Sequence, residues 1–138
     1  MSQPLPDLEI RYANPTAFAN QVKSLNPKHR AVLIMALEHI LGRYGLNLAK
    51  SSWLLYLGSS LWEFRVGPSS KAIESKSAAP FDDDVPFTKV LIRVFCSFQN
   101  NQIVILGCYD KSRFGSGKRQ HEAIQKARES LLTFKLGE

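Results

Sequence analysis

The chain has 138 residues, of which 44% are hydrophobic, and it carries a formal net charge of +6. This length is typical of one domain with its own core, so we expect a single domain over residues 1–138. The sequence has no apolar run of the roughly 18 residues that cross a bilayer and no apolar leader at its start, so we expect a cytoplasmic protein without membrane contact.

The first third of the chain predicts one strand followed by two helices. Apolar and charged residues alternate over 8–12, which is typical of a strand. Asn14-Pro15 and Asn26-Pro27 each place a capping side chain before a proline at the first helical position. The first helix then extends to about Ser24, and the second carries one apolar stripe and ends at Gly45.

The rest of the chain predicts a sheet and a last helix. Residues 61–66, 89–98 and 102–110 have the pattern of strands, and Asn100-Asn101 predicts a tight turn between the last two. An amphipathic helix follows over about 118–134. The order β-α-α-β-β-β-α predicts an α+β fold, in which an antiparallel sheet of about four strands packs against the N-terminal helical hairpin and the C-terminal helix.

The turn at Asn100-Asn101 also predicts which residues face each other in the hairpin. With a two-residue turn, Arg93 lies opposite Cys108, so Cys96 and Cys108 point to opposite faces and cannot form a disulfide. The same register places Tyr109 on the core face. An ion pair between Arg93 and Asp110 is the structural alternative to a catalytic role for this arginine.

The remaining features argue against a metal or another cofactor. Residues 67–88 are rich in serine, alanine and proline, which predicts a long loop, and their Asp82-Asp83-Asp84 run is typical of solvated carboxylates. The two cysteines are too few for a structural zinc site, and the three histidines show no ligand spacing with them. We therefore expect neither a metal site nor a cofactor.

The positive charge is concentrated in one segment near the C-terminus. Residues 111–121 include four Lys or Arg residues and no acid: Lys111, Arg113, Lys118 and Arg119. Such a segment is the electrostatic mark of a polyanion partner. Exposed cations on an ordinary surface loop are the alternative.

Four short patterns stand in an order that resembles the RelE/ParE superfamily of toxins. They are the run LWEFR at 61–65, the strand LIRVFCSF at 91–98 with its central arginine, the strand IVILGCYD at 103–110, and the K-x-R pattern that leads into the last helix. The chain is most similar to the phage-derived HigB-like branch. It departs from that pattern in its long 67–88 loop and in the apolar stretch Trp53–Tyr56, which is either core or a partner interface.

The resemblance implies a type II toxin that cleaves mRNA, either free or on the ribosome, and that is inhibited by a cognate antitoxin, expected to be a helix-turn-helix protein. In this chemistry the ribose 2′-OH attacks the adjacent phosphate without a metal, so cations must stabilise the phosphorane and a base must accept a proton. The implied catalytic residues are Arg93, Arg113 and a proton acceptor, either His121 or, as second choice, Tyr109. The implied RNA-binding residues are Arg65, Lys111, Lys118 and Arg119.

Two alternatives from other functional classes remain. One is a toxin-fold protein without nuclease activity that inhibits a protein target, as ParE relatives inhibit gyrase. The other is a module that only binds nucleic acid, for which the sequence shows no obvious aromatic stacking platform.

Overall fold

A computed structural model of the chain describes residues 8–67, 91–111 and 117–137. These residues form an α+β fold with a mixed five-stranded sheet. The strands are β1 (Glu9–Tyr12), β2 (Leu54–Gly58), β3 (Leu61–Val66), β4 (Ile92–Gln99) and β5 (Gln102–Asp110). The helices are α1 (Pro15–Lys23), α2 (Pro27–Ala36) and α3 (Gly117–Leu136).

The two N-terminal helices begin as the Asn-Pro pairs predict. The side chain of Asn14 accepts a hydrogen bond from the Ala17 amide at 3.0 Å, and that of Asn26 accepts one from the Lys28 amide at 2.8 Å. Each asparagine therefore satisfies a backbone donor that the first turn leaves unpaired. The chain continues beyond α2 through a π-helical turn, and α-helical geometry ends at Gly45, whose φ of +52° favours glycine.

The sheet differs from the expected antiparallel sheet of about four strands. Its order is β1-β5-β4-β3-β2, and β1 pairs with β5 in parallel at one edge. Strand β2 pairs antiparallel with β3 at the other edge, so the apolar stretch Trp53–Tyr56 supplies part of an additional strand. The turn between β2 and β3 uses Ser59 and Ser60, both with positive φ, rather than the Asn-Gly type that marks such turns in a sequence.

Helices cover both faces of the sheet. The helical hairpin of α1 and α2 packs on one face, where the larger apolar core lies between the helices and β3, β4 and β5. Helix α3 packs on the other face through a smaller apolar cluster around Leu61, Phe95 and Ala127. Polar residues on this second face are therefore partly enclosed by α3.

The predicted hairpin register is wrong beyond Cys96. Next to the turn the pairing is as expected, with Cys96 opposite Ile105, but Phe95 lies opposite Gly107 because Leu106 is an extra residue in β5. A bulge of this kind reverses the faces of all residues that follow it. Cys108 therefore lies with Cys96 in the larger core, as a free thiol, and Tyr109 lies on the face of α3.

Three predictions concern residues that the structure does not describe. The loop at 67–88, apart from Gly67, lies outside the described residues, as do Asp82-Asp83-Asp84 and Arg113. None of the helices in the described ranges is long and apolar enough to cross a membrane.

Candidate active site

Three site residues named from the sequence lie in one row across the sheet. Arg65 on β3 is directly opposite Arg93 on β4, and Arg93 is directly opposite Tyr109 on β5. Directly paired residues share a face, so all three side chains lie on the face that α3 partly covers. The row thus places two guanidinium groups and one phenol side by side near the end of the sheet.

A buried carboxylate lies beside this row and offsets its charge. Glu63 is fully buried two residues before Arg65, and its Oε1 is 3.0 Å from Arg65 Nε and 3.8 Å from Arg93 Nε. Two cations directly opposite each other in a sheet repel, so the carboxylate stabilises their close approach. The Arg65 side chain remains 38% exposed and that of Arg93 12%, so solvent and a ligand reach Arg65 more easily.

The environment changes the proton affinities of the row. Burial lowers the pKa of Arg93, Glu63 opposes this shift, and Arg65 reinforces it; the guanidinium nevertheless keeps its charge. Burial, and then the charge of Glu63, raises the pKa of Tyr109 above that of an ordinary phenol, while the two arginines act in the opposite direction. Tyr109 therefore retains its proton at neutral pH, so its hydroxyl can donate a hydrogen bond.

Helix α3 forms the wall beside Tyr109. The Tyr109 ring stacks on Phe95 at 5.8 Å between centroids, and the helix packs against both rings through its apolar side. A cavity of about 180 Å³ lies here, and Tyr109 and Arg119 are among the residues that line it. The Tyr109 hydroxyl is buried and has no hydrogen-bond partner among the described residues, which is uncommon for a buried polar group.

A second opening lies on the arginine side of the row. It is a cleft of about 230 Å³ to which Arg65 and Arg93 both contribute. Its other described lining residues are Ser52, Trp53, Gly67 and Leu91. The two arginines therefore share one open cleft.

The other site residues predicted from the sequence and described by the structure lie at the end of β5 and on α3. Lys111 follows Tyr109 by two residues, and its amide donates to the Leu91 carbonyl at 2.7 Å, so it extends the same hairpin. Lys118 is exposed in the first turn of α3. His121 is exposed in the same part of α3 and lies two helical turns before Arg128.

The contacts of Arg128 show where the side of α3 that carries both His121 and Arg128 points. Its guanidinium donates to the carbonyls of Leu57 and Gly58 at 2.8 and 3.1 Å, next to the turn between β2 and β3. His121 therefore lies on the side of α3 that is turned toward β2, whereas Arg119 lies on the side of the 180 Å³ cavity.

Arg93 and Asp110 do not form the ion pair that was the structural alternative to a catalytic role for Arg93; each has a different partner. Asp110 lies on the opposite face of the sheet, where its Oδ2 is 3.6 Å from Nδ1 of His29 at the start of α2. Arg93 has Glu63 as its acidic neighbour instead. The one-residue bulge accounts for the difference, because it moves Asp110 away from the face of Arg93.

Two residues of the site were not assigned a role from the sequence. Glu63 belongs to the LWEFR run and lies on the face of Arg65. The last helix covers this face, and a buried acid needs a cationic neighbour, so the sequence could have indicated that Glu63 pairs with an arginine. Trp53 was assigned only to an apolar stretch. Its carbonyl accepts a hydrogen bond from the Arg65 amide while its ring stacks on Phe64, and both contacts depend on the pairing of β2 with β3, which the sequence pattern did not indicate.

Comparison of the chain with protein-family models, with curated proteins and with solved structures found no match. Within the described ranges, no group of three or more His, Cys, Asp or Glu side chains is arranged to hold a metal ion.

Proposed function

We propose that this protein is a cytoplasmic endoribonuclease toxin with a RelE-like, HigB-like fold, acting on mRNA and inhibited by a cognate antitoxin. The observation that carries the proposal is the row of Arg65, Arg93 and Tyr109 beside a buried glutamate. Two observations support the proposal. All three residues of the row belong to the sequence patterns that resemble this superfamily, and the row combines the cations and the proton donor that RNA cleavage requires.

The reaction proposed is attack of a ribose 2′-oxygen on the adjacent phosphorus. The new O–P bond closes a 2′,3′-cyclic phosphate while the bond from phosphorus to the 5′-oxygen breaks. The transition state carries more negative charge than the substrate, and the rigid fork of an arginine matches two phosphate oxygens at once. Arg93, held by Glu63, and the more exposed Arg65 are suited to this role.

Two protons must move in this reaction. A phenol is protonated at neutral pH, and burial raises the pKa of Tyr109 further, so its O–H group can donate a hydrogen bond to the phosphorane or a proton to the leaving 5′-oxygen. A separate group accepts the proton of the 2′-OH, and His121 remains our candidate because histidine is the side chain that most often serves as a general base. Arg113, Lys111, Lys118 and Arg119 would extend the contact to neighbouring phosphates.

The test is an RNA-cleavage assay with end-group analysis. The purified protein is incubated, alone and with translating ribosomes, with an oligonucleotide that contains one ribonucleotide in a 2′-deoxy backbone. We expect cleavage only after that ribonucleotide, with a 2′,3′-cyclic phosphate and a 5′-OH end, at a rate unchanged by EDTA. Products with 3′-OH and 5′-phosphate ends would overturn the proposed chemistry.

Assays with the same purified protein distinguish the nuclease from the two alternative functions, nucleic-acid binding alone and inhibition of a protein target. A protein that only binds nucleic acid would retain the oligonucleotide intact in both conditions. With about four phosphate contacts, its affinity would still fall with salt, with a log–log slope near −3 by the single-strand coefficient. An inhibitor of a protein target such as gyrase would block DNA supercoiling and show no affinity for the oligonucleotide.

A further inference from the structure

An apolar groove lies between α1 and α2, on the side of the sheet opposite the row of site residues. Its volume is about 450 Å³, and Tyr12 of β1 lines it together with residues of both helices. The buried Leu33 and Leu37 of α2 contribute to it, as do Phe18 and Val22 of α1, which are half-buried. The groove is therefore an open apolar surface beside the main core.

Helix α1 leaves its apolar side incompletely buried. None of its residues is fully buried, and across the groove Ile34 of α2 is 48% exposed. A contiguous apolar surface of this kind, bordered by polar residues, marks an interaction site on a protein. The apolar side of α1 that lines the groove consists of Pro15, Phe18, Ala19 and Val22.

The spacing of the lining residues matches a helical partner. The apolar residues of α1 recur every three or four positions from Pro15 to Val22, and those of α2 do so from Leu33 to Leu37. Such rows form ridges on two neighbouring helices, and the apolar side of a third helix packs between ridges of this kind. From Pro15 to Lys23 the groove follows α1 for about 12 Å, the length of about two helical turns.

The two ends of the groove differ in charge. Lys23 lines one end, where the guanidinium of Arg30 donates to the Lys23 carbonyl at 2.8 Å. Tyr12 lines the other end near Glu38, and burial, followed by the charge of Glu38, raises the pKa of Tyr12. Residues 15–37 between these ends contain no acid. A partner that brings acidic groups to the Lys23 end is complementary to this arrangement.

We propose that this groove binds an amphipathic helix of a partner protein, whose apolar stripe lies between α1 and α2 and whose acidic end contacts Lys23 and Arg30. The partner helix needs apolar residues at about positions i, i+3 or i+4, and i+7. The inference goes beyond the proposed function and does not depend on it, because the groove and the row of Arg65, Arg93 and Tyr109 lie on opposite sides of the sheet.

Selection from a displayed library of helical peptides with randomised positions tests the proposal. The immobilised full chain is the target, and synthetic copies of the enriched peptides are the probes. We expect these peptides to share an apolar stripe with Asp or Glu at one end and to bind, by fluorescence anisotropy, with an affinity that falls as salt is added. No enrichment, or enriched peptides without this pattern, would overturn the proposal.

Substitutions of exposed residues then locate the bound peptide. Ile34→Glu adds an acid to the groove wall and should weaken binding about tenfold or more. The matched control is Leu132→Glu, a leucine of α3 that is 62% exposed, with affinity within about twofold of wild type. Lys23→Gln should weaken binding by up to about fivefold, the value of an exposed ion pair, and should reduce the salt dependence.

A spin-labelled peptide gives a measurement that needs no variant. A nitroxide at the acidic end should broaden the amide NMR signals of Lys23 and Arg30 more than those of Tyr12. Broadening confined to α3, or equal loss of affinity in Ile34→Glu and Leu132→Glu proteins that melt as wild type does, would overturn the assigned site. Concentration-dependent dimers that the peptide dissociates would show a second copy in the groove and overturn the partner helix.

Discussion

Arg93 faces Tyr109 across β4 and β5 because Leu106 is an extra residue in β5. Without that residue the arginine would face Cys108, and the tyrosine would point into the core beneath the helical hairpin. The side chain of Gln21 on α1 accepts a hydrogen bond from the Cys108 amide at 3.0 Å. A residue of the first helix thereby satisfies a donor next to the bulge that sets the site register.

Gln21→Ala tests this role of the first helix. The substitution leaves the Cys108 amide without its acceptor, and an unsatisfied buried donor costs about 1–3 kcal/mol. We expect the free energy of unfolding in urea to fall by that amount. RNA cleavage should decline as well, because Tyr109 is the next residue. Gln125→Ala, on the exposed side of α3, is the control, and equal stability of the two variants would contradict the role of Gln21.

Glu63→Gln tests the charge balance of the row. Glutamine keeps the shape of the side chain but leaves two directly opposed guanidinium groups without their carboxylate. Removing one partner of a buried ion pair costs about 3–5 kcal/mol, and the partial exposure of Arg65 favours the lower end. The measurement is urea unfolding followed by circular dichroism. The exposed Glu129→Gln should change stability by less than about 0.5 kcal/mol.

The local parts of this fold were predictable from the sequence. The Asn-Pro pairs specify where α1 and α2 begin, because a cap and a proline act within one turn. In β3 the alternation of Trp62, Phe64 and Val66 with Glu63 and Arg65 indicates which residues share a face, and the three apolar residues lie in the main core. Both signals depend on neighbours in the sequence, so no knowledge of distant contacts was needed.

The non-local parts were not predictable in the same way. The parallel pairing of β1 with β5 joins segments about 90 residues apart, and no local pattern specifies a partner at that distance. The bulge at Leu106 depends on pairing with β4 and on Gln21 of another element, so counting residues from the turn misassigned the face of Tyr109. Glu63 was overlooked because strand periodicity indicates a face but not its neighbours.

The two buried thiols predict a loss of stability in alkali. Burial raises the pKa of the Cys108 thiol to about 12 and also raises the pKa of Cys96. Above about pH 9 the unfolded thiols lose protons that the folded thiols keep. The unfolded state then binds fewer protons, and stability falls as pH rises. The limiting slope is about 1.4 kcal/mol per pH unit for each thiol.

Urea unfolding between pH 8 and pH 10 measures this effect. The free energy of unfolding should decline over that range in the wild type, and Cys96→Ala with Cys108→Ala should flatten the decline. In the native protein, both thiols should also resist alkylation, since the thiolate is the reactive form. A wild-type stability that stays constant to pH 10 would contradict the assigned burial.

The central claim is that Arg93 stabilises charge on a phosphate during RNA cleavage, and the cleavage rate of Arg93→Ala tests it most directly. Loss of one preorganised transition-state donor lowers a rate by about 10²- to 10³-fold, so we expect at least a 10²-fold decrease with a native circular dichroism spectrum. Arg93→Lys should recover only part of the rate, because a point charge makes no two-pronged contact. Arg113→Ala should behave like Arg93→Ala, and the exposed Arg43→Ala should cleave at the wild-type rate. Full cleavage by a folded Arg93→Ala protein would contradict the account.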